Sequence, residues 1–168
     1  MLYRSGPRLR YERFMSGQPG AISARVERIV SGNDPQFLGE LPSGYAILGK
    51  YQPEAVRGAC MLLPRRVVPS PNELSEEERA AFFSDVVTLG DAILDVTGAE
   101  RINYLVLCNQ VPELHAHAIP RFGSEDPAKR LLGPFEAYDF GNAPVADALG
   151  AEKELFEKLK EALERRTS

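Results

Sequence analysis

The segment from Ser75 to Thr97 constrains the fold of this chain more than any other. Ser75 and Glu78 make a Ser-x-x-Glu capping box, in which each residue's side chain satisfies the other's backbone N–H at a helix start. Phe82, Val86, Leu89 and Ile93 then recur at intervals of four, three and four, which gives one apolar stripe for a core. Gly98 is placed to end the helix. Short apolar runs flank it: Tyr45–Leu48 and Ala59–Leu63 before, Ile102–Cys108 after. These read as strands, the first two joined through Gly49, Pro53 and Gly58. A further strand is expected over about 113–119, and the linker Asn109-Gln110-Val111-Pro112 is short enough for an antiparallel pair. Locally paired strands interrupted by one long helix predict an α+β fold with an antiparallel sheet.

Residues 1–24, rich in Arg, Gly, Pro and Ser, read as an arm. Residues 25–31 predict a short helix stopped by Gly32. Residues 123–145 read as an extended loop with Gly123, Pro127, Gly133, Pro134 and Pro144. A second helix is expected from about Gly150 to Arg165, with Leu155, Leu159 and Leu163 as its apolar stripe and Glu154–Lys158 as an i,i+4 ion pair.

The 168 residues fit one domain, with 43% hydrophobic and 26% charged residues. A net charge of −4 gives no support for a nucleic-acid or membrane-surface partner, so any anion site is local. Cys60 and Cys108 lie in apolar runs without a C-x-x-C spacing and read as buried free thiols of a reducing compartment. No apolar run reaches membrane length and the N-terminus lacks a signal-peptide pattern, so a cytoplasmic location is expected.

Both histidines of the chain fall in Glu113-Leu114-His115-Ala116-His117-Ala118-Ile119-Pro120-Arg121. If this segment is a strand, Glu113, His115 and His117 share one face, with the imidazole-bearing residues about 7 Å apart at Cα. Two imidazoles so spaced reach different oxygens of one phosphate, and a neutral imidazole is a competent nucleophile near pH 7. Arg121 is either an anion contact or a solvated strand-end residue. Asn109 and Gln110 are either hydrogen-bond donors to phosphate or simple turn formers. Glu113, His115 and His117 also match the donor types of a metal site, although three ligands on one strand close awkwardly round one ion. A polar strand face with no site is the plainest alternative.

This segment resembles the signature of the histidine triad (HIT) superfamily, His-x-His-x-His followed by apolar residues and often Pro-Arg, with Glu113 in place of the first His. Asn103-Tyr104 and Asn109-Gln110-Val111-Pro112 resemble the Asn-Tyr and Gly-Asn-x-Val-Pro segments of one bacterial branch, with Cys108 where that branch has Gly. Gly58-Ala59-Cys60-Met61-Leu62-Leu63-Pro64-Arg65-Arg66, Leu74-Ser75-Glu76-Glu77-Glu78 and Arg28-Ile29-Val30-Ser31-Gly32 resemble other family segments. The resemblance covers about residues 25–122, with 123–168 expected to pack on the same domain.

The resemblance implies a nucleotidyl hydrolase or transferase whose middle triad His, here His115, attacks the α-phosphate of a small-molecule nucleotide to form a nucleotidyl-histidine. His117 then orients and polarises the phosphate. No cofactor is required, apart from Mg²⁺ carried by some substrates, and no metal belongs to the site. A homodimer is implied as well. The apolar residues Phe83, Val87 and Leu94, beside the main helical stripe, point the same way. Alternatively the C-terminal helix covers that surface within one chain.

The departures bear on function. Glu113 beside an imidazole favours imidazolium and repels phosphate, unless it accepts from one ring nitrogen and aims the other. Ala59 and Val67 stand where the family commonly has His, and Gly49 where many members have a ribose-holding Asn or Asp. The chain is therefore expected to act on an altered substrate, or to be a HIT-fold nucleotide-binding protein that has lost turnover.

Overall fold

The computed structural model describes residues 20–167. The arm expected over 1–24 lies outside the described residues except for its last five. Of those, Gly20 is the N-cap and the other four open the first helix, α1 (Ala21–Val30), which starts earlier than expected and ends before Gly32 at φ 74°. Five strands follow: β1 (Phe37–Leu41), β2 (Gly44–Leu48), β3 (Cys60–Pro64), β4 (Arg101–Leu105) and β5 (Ala116–Arg121). They form one sheet in the order β1-β2-β3-β5-β4, with every neighbouring pair antiparallel. The long helix α2 (Glu76–Thr97) crosses between β3 and β4. Its N-cap is Ser75, both bonds of the capping box are present, and Gly98 closes it in the left-handed conformation. The α+β antiparallel architecture with a long core helix and a C-terminal helix is as expected.

Alternation divides the strands between two faces. Ala46, Leu48, Cys60, Leu62, Ala116 and Ala118 meet Phe82, Val86, Leu89 and Ile93 of α2. They also meet Leu159, Ala162 and Leu163 of the C-terminal helix, α5 (Lys153–Thr167). Tyr45, Ile47 and Leu63 face the other way and pack against Ile22, Val26 and Ile29 of α1. The sheet is thus the middle of three layers, and its strand β2 is buried on both sides.

Two sequence expectations change here. The strand expected over 102–108 ends at Leu105, and the His-bearing strand begins only at Ala116, with Leu105 paired to His117. The connection therefore spans residues 106–115, longer than the four-residue linker. Within it Cys108 adopts φ 53°, a left-handed conformation that costs an L side chain about 1–2 kcal/mol. Residues 123–145 are less irregular than expected, since they form two single-turn helices, α3 (Pro127–Arg130) and α4 (Pro134–Ala137).

Candidate active site around His115 and His117

Helix α1 has an unusual start. Its N-cap is Gly20, which has no side chain to accept from the free N–H groups of the first turn. The acceptor comes from far along the chain. One carboxylate oxygen of Glu113, Oε2, accepts from the Ile22 N–H at 2.8 Å and the Ser23 N–H at 3.3 Å. The other, Oε1, accepts from the Ser23 hydroxyl. A Cβ on Gly20 would lie 2.2 Å from Glu113 Oε2, so only glycine leaves room for the carboxylate. Glu113 is consequently 1% exposed and directed into α1.

That placement corrects the expectation of a shared face. Glu113, Leu114 and His115 precede β5, and strand alternation does not apply to them. Leu114 donates its N–H to the Val68 carbonyl at 2.7 Å and buries its side chain in the α2 core. The carboxylate of Glu113 neither faces the imidazoles nor accepts from one. Its main-chain carbonyl does so instead, at 2.7 Å from His115 Nδ1. A carbonyl oxygen can only accept, so the Nδ1 position carries the proton. When the ring is neutral, the lone pair then lies on Nε2.

His115 is buried. Among the described residues no buried side-chain nitrogen or oxygen lacks a partner, and His115 Nε2 makes no hydrogen bond to any of them. His117 follows on β5, opposite Met61 and Leu105 and on the face away from Ala116 and Ala118. The two imidazole centroids are 5.0 Å apart, with planes at 79°. Burial, and secondarily the neighbouring His115, pulls the pKa of His117 down to about 4, so that His117 is a neutral imidazole at pH 7. The structure thus brings together His115 and His117, and leaves the Glu113 carboxylate out.

Arg121 is also turned to another use. It is almost fully buried, and all three guanidinium nitrogens are engaged within the chain. Nε and Nη2 donate to the Glu125 carboxylate at 2.9–3.1 Å. Nη1 donates to Asn103 Oδ1 and the Leu132 carbonyl, and Nη2 also to the Lys129 carbonyl. Burial alone would raise the Glu125 pKa, but hydrogen bonds from Arg121, the Tyr138 hydroxyl and the Phe122 amide outweigh it and hold the group below its usual range. Neither the phosphate contact nor the solvated strand end considered for Arg121 describes this hub. Asn109 and Gln110 are exposed on the loop before the histidines.

The hub fixes a neighbour that sequence reasoning missed. It ties down the segment carrying α3 and α4, and Phe135 of α4 sets its ring edge-on against His117, with centroids 5.0 Å apart. Phe140 packs on Phe135 in turn. The missed signals were a glycine-started helix with no cap of its own and a Glu at i+4 from Arg121.

The three other departures are packing positions. Gly49 lies so close to the Ala59 carbonyl that a Cβ would stand 2.8 Å from its oxygen. Ala59 is buried and Val67 packs against the cluster of Ile22, Ile29, Tyr45, Ile47 and Leu63. Among the described residues no group of three or more His, Cys, Asp and Glu side chains is placed to hold a metal ion, and the Glu113 carboxylate in α1 breaks up the Glu-His-His set considered from sequence.

Comparison with known proteins places these features in a family. No curated protein matches the chain by sequence. Among solved structures, a histidine triad protein from Sinorhizobium meliloti 1021 superposes with a TM-score of 0.65 at 23% identity, over 85% of this chain and 96% of that one. A hypothetical histidine triad nucleotide-binding protein from Sulfolobus tokodaii strain7 gives 0.64 at 20% identity, over 84% and 92%. A histidine triad protein from Marinobacter aquaeolei VT8 gives 0.61 at 23%, over 77% and 88%. These likenesses concern the fold. The HIT domain family model matches residues 33–124, more than half of the chain, from the start of the sheet through both histidines, and the chain belongs to the HIT family.

Proposed function

We propose that this protein is a nucleotidyl hydrolase or transferase that works through His115. The observation that carries the reading is the hydrogen bond from His115 Nδ1–H to the Glu113 carbonyl, which leaves Nε2 as the nucleophilic nitrogen beside a neutral His117. Nε2 attacks the α-phosphorus of a nucleotide, the bond to the leaving group breaks, and a nucleotidyl-histidine forms. His117, as a neutral N–H donor, polarises a phosphate oxygen without adding a fixed charge. Water or another acceptor then attacks the same phosphorus and releases His115. No resident cofactor or metal enters this scheme, and Mg²⁺ accompanies only those substrates that carry it.

Incubation with adenosine and guanosine polyphosphates and phosphoramidates tests the reading, with mononucleotide release as the signal and intact-mass detection of the adduct. His115→Ala is expected to abolish both signals with the fold intact, and to cost more than His117→Ala. Equal activity of wild type and His115→Ala on every substrate overturns it. A nucleotide-binding protein without turnover is the second reading. It is favoured by the absence of a polar side chain at Gly49, Ala59 and Val67, and predicts nucleotide binding with no adduct on any of these compounds.

We further propose a homodimer and a cytoplasmic protein. No helix among the described residues is long and apolar enough to cross a membrane. The C-terminal helix covers one flank of α2 through Leu159 and Leu163, yet Phe83 and Val87 remain 42% and 49% exposed. Tyr104 of the edge strand β4 lies directly over Gly90 beside them. An apolar helix face continuous with an open strand edge fits a two-fold contact.

A further inference from the structure

We infer that Glu113 is a positioning residue that couples the first turn of α1 to the orientation of His115; the inference rests on His115 being the working nucleophile. Its two polar ends do separate things. The carboxylate is clamped by the Ile22 and Ser23 amides and the Ser23 hydroxyl. The carbonyl of the same residue holds His115 Nδ1–H. The intervening backbone has little freedom. Leu114 is fixed between the Val68 carbonyl and the α2 core, and β5 pairing starts at Ala116. If the carboxylate leaves α1, the peptide plane carrying the Glu113 carbonyl keeps only its Leu114 N–H bond to Val68, and the acceptor that sets the His115 tautomer and ring direction loses one of its two anchors.

This role explains how a carboxylate replaces the first triad His without placing a negative charge against phosphate. The charge is spent on the helix start, where free N–H groups favour it. It also explains Gly20, the position whose missing Cβ admits the carboxylate. A general acid or base at 113 would need its carboxyl group near the reacting atoms, whereas this one is enclosed by α1.

The role predicts a pattern across five variants. Glu113→Gln keeps the length and an acceptor oxygen for the helix amides. Glu113→Ala removes both. Ser23→Ala removes the hydroxyl donor, and Gly20→Ala forces the carboxylate to move. Two readouts are taken: steady-state kinetics with adenosine 5′-phosphoramidate, and the two ring-nitrogen resonances of His115 in ¹⁵N-labelled protein without ligand. For Glu113→Ala, kcat is expected to fall about 100-fold with KM little changed, the scale of a misplaced catalytic group. The ring resonances should show loss of the single Nδ1–H tautomer. Gly20→Ala should show the same signature, Ser23→Ala a weaker one, and Glu113→Gln should stay near wild type in both. Glu113→His, which restores the family triad, is expected to behave like the alanine variant because an imidazole does not reproduce the clamp.

Equal losses for Gln and Ala would show that the carboxylate acts chemically and overturn the inference. So would an unchanged Nδ1–H tautomer in Glu113→Ala and Gly20→Ala. If wild type turns over no nucleotide, the catalytic reading fails on its own, and the ring-nitrogen signals still decide whether Glu113 positions His115. Urea melts of the five variants identify any that fail to fold, and Ser23→Ala is the mildest fallback.

Discussion

Replacing Arg121 by Met separates a phosphate contact from a structural hub. Met keeps much of the side-chain bulk and removes all five guanidinium donors. The partners are deeply buried, with side chains 4% exposed for Arg121 and 1% for Glu125. Removing one member of such a pair leaves a buried charge uncompensated, which costs about 3–5 kcal/mol. The Lys129 and Leu132 carbonyls lose their donors as well. At about 2–4 °C per kcal/mol for a chain of this size, Tm should fall by roughly 6–20 °C. Thermal melts followed by circular dichroism measure this. A second variant, Arg121→Met with Glu125→Met, removes both charges and should recover much of the loss, since an apolar pair of similar volume often replaces a buried ion pair without penalty. The pH dependence has a definite sign. Glu125 has a depressed folded pKa, so its contribution is present above the ordinary value of 4.5 and is lost as pH falls through the lower folded value. The gap between wild type and Arg121→Met should therefore narrow in acid. A single variant that melts within about 2 °C of wild type, while KM for adenosine 5′-phosphoramidate rises severalfold, would refute the hub and return Arg121 to substrate binding.

Other outcomes follow from the same geometry. His117 has a folded pKa of about 4 against 6.5 for a free side chain, so the unfolded chain binds more protons between those values. Stability should decline as pH falls from 6.5 towards 4, and His117→Gln should flatten that part of a urea-denaturation pH series. Cys108→Gly relieves the left-handed backbone and should raise stability by up to about 1 kcal/mol, whereas Cys108→Ala should not; identical melts for the two would show that no strain is stored there. Light scattering at micromolar concentration should give twice the chain mass of 18.5 kDa, and Phe83→Asp should halve it; a wild-type mass near 18.5 kDa removes the dimer.

Much of the architecture is legible in local sequence. The capping box at Ser75, the stripe through Phe82, Val86, Leu89 and Ile93, and Gly98 place α2 almost to the residue, because caps and periodicity act within one or two turns. The short apolar runs locate β2, β3 and β4, although β1, with its mixed Phe37-Leu38-Gly39-Glu40-Leu41, carries no such signal. The two histidines single out the site by composition, and their triad order and spacing point to the family.

Side-chain direction was decided elsewhere. Glu113 and Arg121 look from sequence like polar flanks of the histidines, and alternation would put Glu113 beside them. Strand pairing begins only at Ala116, so the period-two rule has no hold on residue 113, whose partner is a helix start more than ninety positions earlier. Arg121 likewise donates mostly to acceptors, on Glu125, Lys129 and Leu132, that lie beyond the matched domain. Hydrogen-bond satisfaction of buried groups is a property of the assembled interior: which free N–H meets which carboxylate depends on contacts distant in the chain, and only the tertiary structure supplies them.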